Sequence, residues 1–506
     1  MKNTRATNFL ADQFQRNVIY SWASQIINLT IVFFLTPIIV AELGDYRYGL
    51  WLLVNSIVAY MSLLELGVNI STGRFVNISI GEKDYVRASE ILSTSTVFYL
   101  LLPCVFLPLV WVFGDELVVL FLDEDMMRNE VFYAVLMTVA ALFINLSAAN
   151  TRIRLTSKHK FDVISLISLL EVILRGGLVL FFLEANENPS LMHISLATLV
   201  SAVFSWGLSG VLSKLYGENI SFKLDRVSSP VFLTIFTFSA WVLLSNLGVA
   251  SINYADKIII SYFANSKYVA YYGIGFMLFT HMSTMLSKLN QVKIPQITQL
   301  VGRSDEEGML AELQYLIYLT GVVSIPAVMT FIVLAEPFVT LWLGENYLSS
   351  AVVAQVLALS LIFSLSMGGI GASLWAKGIV RTLSILKIIV AVCNVGLSIV
   401  LIHVMENQIL GVAIATVAVR LAELNVVMPI LARKELNLSI KSIIRSNFLF
   451  LLFGLVLYFG VSYVDFSSID NWYMLVLYSV SCFVLMVLFS YVFVKLAKPE
   501  QIRLIR

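Results

Sequence analysis

The sequence contains little charge, because Asp, Glu, Lys and Arg make up only 13% of its 506 residues. A typical soluble domain carries about 25%, so this composition excludes a soluble enzyme. The net charge of +1 excludes a nucleic-acid binder, which needs a basic surface. The three cysteines lie far apart within apolar runs, which argues against disulfides. The four histidines fall in separate segments without metal-ligand spacing, so we expect no metal or organic cofactor.

Hydrophobic residues are abundant, at 59% of the chain, and they occur in long runs. A transmembrane helix needs about 20 apolar residues, whereas the strands of an outer-membrane barrel alternate apolar and polar residues. The pattern therefore predicts an all-α polytopic membrane protein with about 14 transmembrane helices. The predicted spans are 17–40, 48–69, 89–113, 130–150, 161–183, 191–213, 231–254, 268–291, 313–335, 351–375, 382–404, 408–430, 446–464 and 472–494.

Lys and Arg outside these spans are concentrated in alternate connections, which include both termini. The opposite connections hold only Arg47, Arg128, Lys257 and Lys267. Because positive charge marks the cytoplasmic side, we expect a multi-pass protein of the bacterial inner membrane with both termini in the cytoplasm. No Gly-x-x-x-x-Gly-Lys-Ser/Thr motif occurs, so the chain shows no nucleotide-driven motor.

A faint internal repeat relates two groups of six spans. The step Tyr48-Gly49-Leu50-Trp51 has a counterpart in Tyr272-Gly273-Ile274-Gly275, and the two steps lie about 220 residues apart. Six is an even number, so both groups share one orientation, as in transporters built from parallel repeats. We expect an N-terminal lobe at 1–230, a C-terminal lobe at 231–440, a central cavity, and two further spans with a cytoplasmic tail at 441–506.

Charged residues within the spans are the first candidates for a functional site, because each costs about 2.5–3.5 kcal/mol in lipid. Glu171 and Arg175 are four residues apart on one helix face, and Arg420 and Glu423 are three apart. Each pair either neutralises itself or offers its arginine to a phosphate group, for which the planar guanidinium is well suited. Glu65 lies nearer the cytoplasmic end of span 2, nine residues before Arg74.

A second set of polar residues lies nearer the span ends. Asp256 and Lys257 are predicted just after span 7 at the outer face, and Lys288 closes span 8 at the inner face. We expect Arg175, Arg420, Arg74, Lys257 and Lys288 to contact an anionic, sugar-bearing headgroup. Glu65, Glu171, Glu423 and Asp256 are the expected coupling or pairing acids. The triplet Asp123-Glu124-Asp125 resembles a Mg²⁺ site for glycosyl transfer, but a solvated acidic loop explains it better.

The chain resembles the Wzx-type O-antigen and polysaccharide flippases, which form one superfamily with the multidrug and toxic-compound extrusion proteins and the lipid II flippases. The resemblance extends over nearly the whole length. Its motifs are Leu35-Thr36-Pro37, Glu42-Leu43-Gly44 with Tyr48-Gly49-Leu50-Trp51, Leu63-Leu64-Glu65-Leu66-Gly67 with Arg74, Gly81-Glu82-Lys83-Asp84, Asn253-Tyr254-Ala255-Asp256-Lys257 and Tyr271-Tyr272-Gly273. Glu65 stands where the family more often has Asp.

The resemblance implies a non-enzymatic flippase that moves an undecaprenyl-diphosphate-linked oligosaccharide to the periplasmic leaflet by alternating access. Its expected partners are this lipid-linked substrate, membrane lipid and the polysaccharide polymerase or chain-length machinery. Coupling to H⁺ or Na⁺ stays open. One alternative is a cation-coupled drug antiporter of the same superfamily, which would need acids unpaired with bases. Another is a membrane polymerase or glycosyltransferase, which would need a large outer catalytic loop.

Overall fold

The structure is a computed structural model that describes residues 2–65, 67–119, 127–158, 160–302, 305–462 and 469–496. These residues are almost entirely helical and contain no strand. The helices are α1 Lys2–Met61, α2 Val68–Gly81, α3 Tyr85–Val119, α4 Arg128–Thr156, α5 Phe161–Glu184, α6 Leu191–Tyr216, α7 Ser229–Phe263, α8 Ser266–Gly302, α9 Glu306–Leu319, α10 Ile325–Leu343, α11 Leu348–Ala358, α12 Leu361–Ala376, α13 Val380–Val404, α14 Gln408–Ala422, α15 Met428–Leu436, α16 Ile440–Ser462 and α17 Trp472–Leu496.

Eleven helical segments within the described residues are long and apolar enough to cross a membrane. Large apolar side chains cover their outer surfaces, as at Phe113 and Leu485, which are 57% and 65% exposed. In water such a surface would be unfavourable, whereas lipid tails solvate it well. The predicted all-helical membrane protein is therefore confirmed. The count of fourteen spans stays a prediction.

The first long helix, α1, is divided at Gly44 and ends before a short 3₁₀ turn. Its 60 residues would extend about 90 Å if straight, three times the thickness of a bilayer core. Gly44 divides it, because its φ of 72° and ψ of 167° are not helical. A second break corrects the predicted span 48–69: α1 ends at Met61, a single 3₁₀ turn covers Ser62–Glu65, and Gly67 has a φ of 70°. Glu65 thus lies at a helix break.

Two π-helical turns each precede a proline by two residues. Thr320–Ser324 precedes Pro326, and Glu423–Val427 precedes Pro429. Proline has no N–H to donate, and its ring clashes with the carbonyl four residues earlier. A wider turn accommodates both effects without ending the helix. The second π turn is important for the site, because it begins at the predicted acid Glu423.

The chain divides into two compact units. Unit 1 comprises Met1–Ala250 and Asn265–Lys267, and unit 2 comprises Ser251–Ala264 and Tyr268–Arg506. In unit 1, α4 and α6 form the most extensive helix contact. Small side chains make this possible: α4 buries Ala134, Ala141 and Ala148, and α6 buries a row of serines. Close approach of small residues is a usual way to pack membrane helices.

Unit 2 is built from helix hairpins, of which α13–α14 and α10–α11 are the most closely packed. The two last helices, α16 and α17, pack on α10. Phe338 of α10 meets Trp472 of α17 edge to face, with the ring centroids 5.9 Å apart. Short connections join α7 to α8 and α13 to α14, so the helices of each pair run antiparallel. This brings residues near the ends of all four helices to one level.

Candidate functional site

The carboxylate of Asp256 is the centre of a buried polar cluster in unit 2. Asp256 has 0% of its surface exposed. Its carboxylate accepts hydrogen bonds from the hydroxyl of Tyr272 on α8, from Thr416 Oγ1 on α14 at 2.6 Å and from Ser398 Oγ on α13 at 3.3 Å. The sequence predicted Asp256 after span 7 at the outer face. The position after the span is wrong, because α7 continues to Phe263 and holds Asp256 inside the helix packing, and the outer face stays a prediction.

Asn394 extends this cluster on α13. Its Nδ2 donates to Thr416 Oγ1 at 2.9 Å, whereas its Oδ1 is buried without a hydrogen-bond donor among the described residues. The cluster therefore presents carboxylate, hydroxyl and amide oxygens around one point. Such oxygens are suitable for a proton or for a hard cation, and buried acids in transporters commonly serve that purpose. We found no group of three or more His, Cys, Asp or Glu side chains with metal-ligand geometry in the described part of the chain.

Two cations lie close to this cluster, and aromatic rings contact both of them. Lys257 follows Asp256 on α7 and is only 8% exposed. Its Nζ lies 5.2 Å from the ring centroid of Phe276 and 5.6 Å from that of Tyr254. The guanidinium carbon of Arg420 lies 5.1 Å from the ring centroid of Phe279. Neither cation makes an ion pair with a described carboxylate.

Arg420 and Glu423 do not form the close ion pair that one of the two alternatives expected. Glu423 is 7% exposed, and its carboxylate accepts a hydrogen bond from the ammonium of Lys387 on α13. Arg420 instead donates from Nη2 to Asn253 Oδ1 at 3.3 Å. The π turn begins at Glu423 and changes the direction of its side chain relative to an ideal helix, in which residues three apart are neighbours. Lys387 lies within α13.

Glu171 and Arg175 in unit 1 likewise form no close ion pair, although Glu171 interacts electrostatically with Arg175. Glu171 pairs with Arg152 of α4, with 3.7 Å between Nη2 and Oε2. Ser205 of α6 donates to the same carboxylate at 2.6 Å, and Arg152 donates to Ser209 at 2.8 Å. The tight α4–α6 contact brings these groups to one place and satisfies Glu171. Arg175 makes no ion pair with any carboxylate whose side chain the structure describes.

Glu65 is held at the helix break in unit 1. Its Oε1 accepts a hydrogen bond from the hydroxyl of Tyr99 at 2.9 Å and another from the backbone N–H of Asn69 at 3.1 Å. Arg74 is exposed on α2, with its guanidinium 5.6 Å from the ring centroid of Phe75. Lys288 lies on α8, but its side chain falls outside the described part of the structure, as does the triplet Asp123–Asp125.

The structure therefore brings together Asp256, Lys257, Arg420 and Glu423 within unit 2, and Glu171 and Arg175 within unit 1. Sequence reasoning missed the residues that complete these clusters, which are Tyr272, Asn394, Ser398, Thr416, Lys387 and Arg152. Isolated hydroxyl and amide side chains in a membrane helix give no pattern that separates a site from ordinary helix packing. Tyr272 alone had a signal, because it lies in one of the repeated Tyr-Gly steps.

Comparison with known proteins places the chain in a family. A family profile described as a polysaccharide biosynthesis protein matches residues 57–352, more than half of the chain. The "Uncharacterized membrane protein EpsK" of Bacillus subtilis (strain 168) is 24% identical over 395 residues, which are 75% of this chain and 75% of that protein. The "Putative O-antigen transporter" of Shigella flexneri is 20% identical over 327 residues, which are 64% of this chain and 75% of that protein.

Solved structures show the same fold at low sequence identity. A lipid II flippase, MurJ in an inward closed conformation, matches with a TM-score of 0.67 and 16% identity, covering 95% of this chain and 99% of MurJ. An inward-facing multidrug resistance transporter of the MATE family matches with a TM-score of 0.62 and 15% identity, covering 87% of this chain and 99% of that one. This chain belongs to the polysaccharide biosynthesis protein family and has the fold of these solved transporters.

Proposed function

We propose that this protein is a flippase that moves an undecaprenyl-diphosphate-linked oligosaccharide from the cytoplasmic to the periplasmic leaflet. The observation that carries the proposal is the family match together with the similarity to a putative O-antigen transporter. We place the protein in the bacterial inner membrane with both termini in the cytoplasm, because of the distribution of Lys and Arg. Alternating access between two lobes would expose the headgroup site to each leaflet in turn.

Physical chemistry explains why such a substrate needs a protein. Each sugar hydroxyl costs about 4–8 kcal/mol in a hydrocarbon environment without hydrogen bonds, so the headgroup does not cross lipid unaided. A polar path lets the sugar pass while the prenyl tail stays in lipid. An inside-negative potential favours outward movement of the anionic diphosphate by about 2.3 kcal/mol per charge per 100 mV.

The proposed headgroup contacts are the cations predicted from the sequence: Arg175, Arg420, Arg74, Lys257 and Lys288. Three findings support the role for part of this set. Lys257 and Arg420 contact aromatic rings and no described carboxylate, and Glu171 pairs with Arg152, which leaves Arg175 available for a ligand. Uncompensated cations within a membrane protein are unfavourable unless they face a cavity or bind an anion.

The proposed coupling acid with the strongest support is Asp256. It is fully buried, and three hydroxyl groups donate to it, so its surroundings are suitable for a proton or Na⁺. Glu65 is a second coupling candidate, whereas the ion pairs of Glu171 and Glu423 indicate structural roles.

The test is deletion of the gene, followed by identification of the lipid-linked intermediate that accumulates and of the leaflet that holds it. We expect a complete lipid-linked repeat unit in the cytoplasmic leaflet. In the deletion strain, the variants Arg175→Ala and Arg420→Ala should insert into the membrane but should not restore export. Lys434→Ala, which removes an exposed cation from the same protein, is the control and should restore both. Accumulation in the periplasmic leaflet would instead indicate a defect in a polymerase partner.

A further inference from the structure

Lys257 and Arg420 in unit 2 are two buried cations that form no salt bridge, and both interact electrostatically with the same buried carboxylate, that of Asp256. Aromatic rings contact both side chains, and a cation–π contact contributes only about 0.5–2 kcal/mol. Asp256 is the acid nearest in sequence to Lys257, but its oxygens are occupied by Tyr272, Ser398 and Thr416. Arg420 Nε is buried with no acceptor among the described residues. Asn253 Oδ1 accepts from Nη2 of this guanidinium at 3.3 Å, so the unsatisfied donor is Nε.

The two cations lie about one helical turn apart along the α7–α8 hairpin. Arg420 contacts Asn253 on α7. Lys257 follows Asn253 by four residues, so Asn253 and Lys257 lie on one face of α7. The two cations also contact neighbouring rings of α8: Lys257 contacts Phe276, and Arg420 contacts Phe279, which follows Phe276 by three residues. The ring centroids of Phe276 and Phe279 are 5.8 Å apart. Both helices therefore indicate a separation of about one turn, or ~5.4 Å along the axis.

Two cations at this spacing are suited to a ligand with two adjacent anionic groups. Arginine offers a planar fork to one phosphate group, and lysine offers a compact point charge to another. The aromatic rings hold the cations in place without neutralising them, and the single carboxylate of Asp256 interacts with both. A sugar carboxylate carries a single charge and would engage only one of the two.

We propose that Lys257 and Arg420 form one subsite of unit 2 that binds two adjacent phosphate groups, and that Phe276, Phe279 and Tyr254 position the two cations. The identification of this diphosphate with the lipid-linked substrate rests on the proposed function. The same chemistry also occurs in free pyrophosphate and in nucleoside diphosphates. Diphosphate binding at the subsite can therefore be tested separately from transport.

The experiment measures equilibrium binding to the purified full-length protein in lipid nanodiscs. The probes are inorganic pyrophosphate, inorganic phosphate and a short polyprenyl diphosphate incorporated in the nanodisc. The variants are Lys257→Met, Arg420→Met and the double variant, which remove the charge and keep an unbranched side chain. Lys434→Met is the matched control, because it removes one exposed cation from the same unit. Size-exclusion profiles and thermal unfolding without ligand verify that each variant folds.

We expect each single variant to bind pyrophosphate about tenfold more weakly or worse, since a charge-assisted hydrogen bond contributes about 1.5–3 kcal/mol. If both cations hold one ligand, the double variant should lose less than the product of the two single losses. Inorganic phosphate should be less sensitive than pyrophosphate to either single change. The charge-conserving variants Lys257→Arg and Arg420→Lys should retain most of the affinity.

Several results would overturn the subsite. They are equal losses in Lys434→Met, strictly multiplicative losses in the double variant, or a parent protein that binds neither pyrophosphate nor the polyprenyl diphosphate. The last result is decisive even if the methionine variants fail to fold. Binding of free pyrophosphate but not of the polyprenyl diphosphate would support the subsite and contradict its assignment to a lipid. Conversely, diphosphate binding by a protein that fails to move lipid-linked sugar would refute the proposed function alone.

Discussion

The ammonium of Lys387 on α13 donates to the carboxylate of Glu423 on α14, across two antiparallel helices and 36 residues of sequence. The arginine three residues before Glu423 takes no part in this pair and instead contacts Asn253 and Phe279. Neutralisation of Glu423 and contact with a ligand, both of which the sequence analysis considered for Arg420, therefore fall to different residues in our interpretation. Glu423 is neutralised by Lys387, which is consistent with the proposed role of Arg420 in ligand binding.

Removal of Lys387 should therefore destabilise the protein more than removal of Glu423. Lys387→Met leaves a buried carboxylate without a cation, which typically costs about 3–5 kcal/mol. Glu423→Gln leaves a lysine that is 35% exposed and better able to reach water, so its cost should be smaller. The double variant should recover part of the loss. The unfolding temperature of each of the three variants is measured in detergent. A double variant as unstable as Lys387→Met would contradict the pairing.

The two arginines near Glu171 should behave differently when replaced. Arg152→Met removes the ion-pair partner of Glu171 and the donor to Ser209, so we expect a clearly lower unfolding temperature. Arg175→Met should leave the unfolding temperature nearly unchanged and should lower export of lipid-linked sugar. Export assays at matched expression complete the comparison. If Arg175→Met lowered the unfolding temperature and Arg152→Met did not, the result would instead support a pairing of Glu171 with Arg175.

Asp256→Asn should preserve the fold and abolish coupling. Asparagine keeps the shape and one oxygen acceptor for Tyr272, Thr416 and Ser398, but it neither carries charge nor takes up a proton. Transport in reconstituted vesicles should then no longer respond to an imposed H⁺ or Na⁺ gradient. Asp256→Ala should unfold more readily, because it leaves three buried hydroxyl groups without their acceptor. A gradient response that persists in Asp256→Asn would exclude Asp256 from coupling.

Close contact between α8 and α11 depends on Gly275. A Cβ at this position would lie 2.5 Å from the backbone oxygen of Ser350 and 2.8 Å from Cβ of Val353. Gly275→Ala should therefore destabilise unit 2 by at least about 1–3 kcal/mol, as overpacking does. Gly396→Ala is the control, because no atom lies within 4 Å of its Cβ position, and it should be neutral or slightly stabilising. Equal unfolding temperatures for the two variants would contradict the contact.

Much of the fold was predictable, because lipid imposes a strong constraint on sequence. Spanning segments must be long, apolar and helical, and the described helices follow that rule. The interruptions were less predictable. Gly67 and Pro429 were visible in the sequence, but glycine and proline are tolerated in unbroken membrane helices as well, and only the structure distinguishes the 3₁₀ turn before Gly67 and the π turn before Pro429.

The candidate site was predictable only in its charged members. Charges within apolar runs are conspicuous because they are costly, so Asp256, Arg420 and Glu171 could be selected from the sequence. Their partners could not be, since the rule for neighbours on one helix considers only residues three or four apart. The actual partners, such as Arg152 and Thr416, come from other helices. Their choice depends on helix rotation and packing, which composition does not encode.

The most direct test of the account measures translocation itself. The purified protein is reconstituted into vesicles that contain a fluorescent undecaprenyl-diphosphate-linked oligosaccharide, and an impermeant sugar-binding reagent reports how much of it reaches the opposite leaflet. The account predicts transfer by the parent protein, much slower transfer by Arg420→Met, and transfer close to the parent rate by Lys434→Met. No transfer above that of protein-free vesicles, or equal rates for the parent and Arg420→Met, would contradict it.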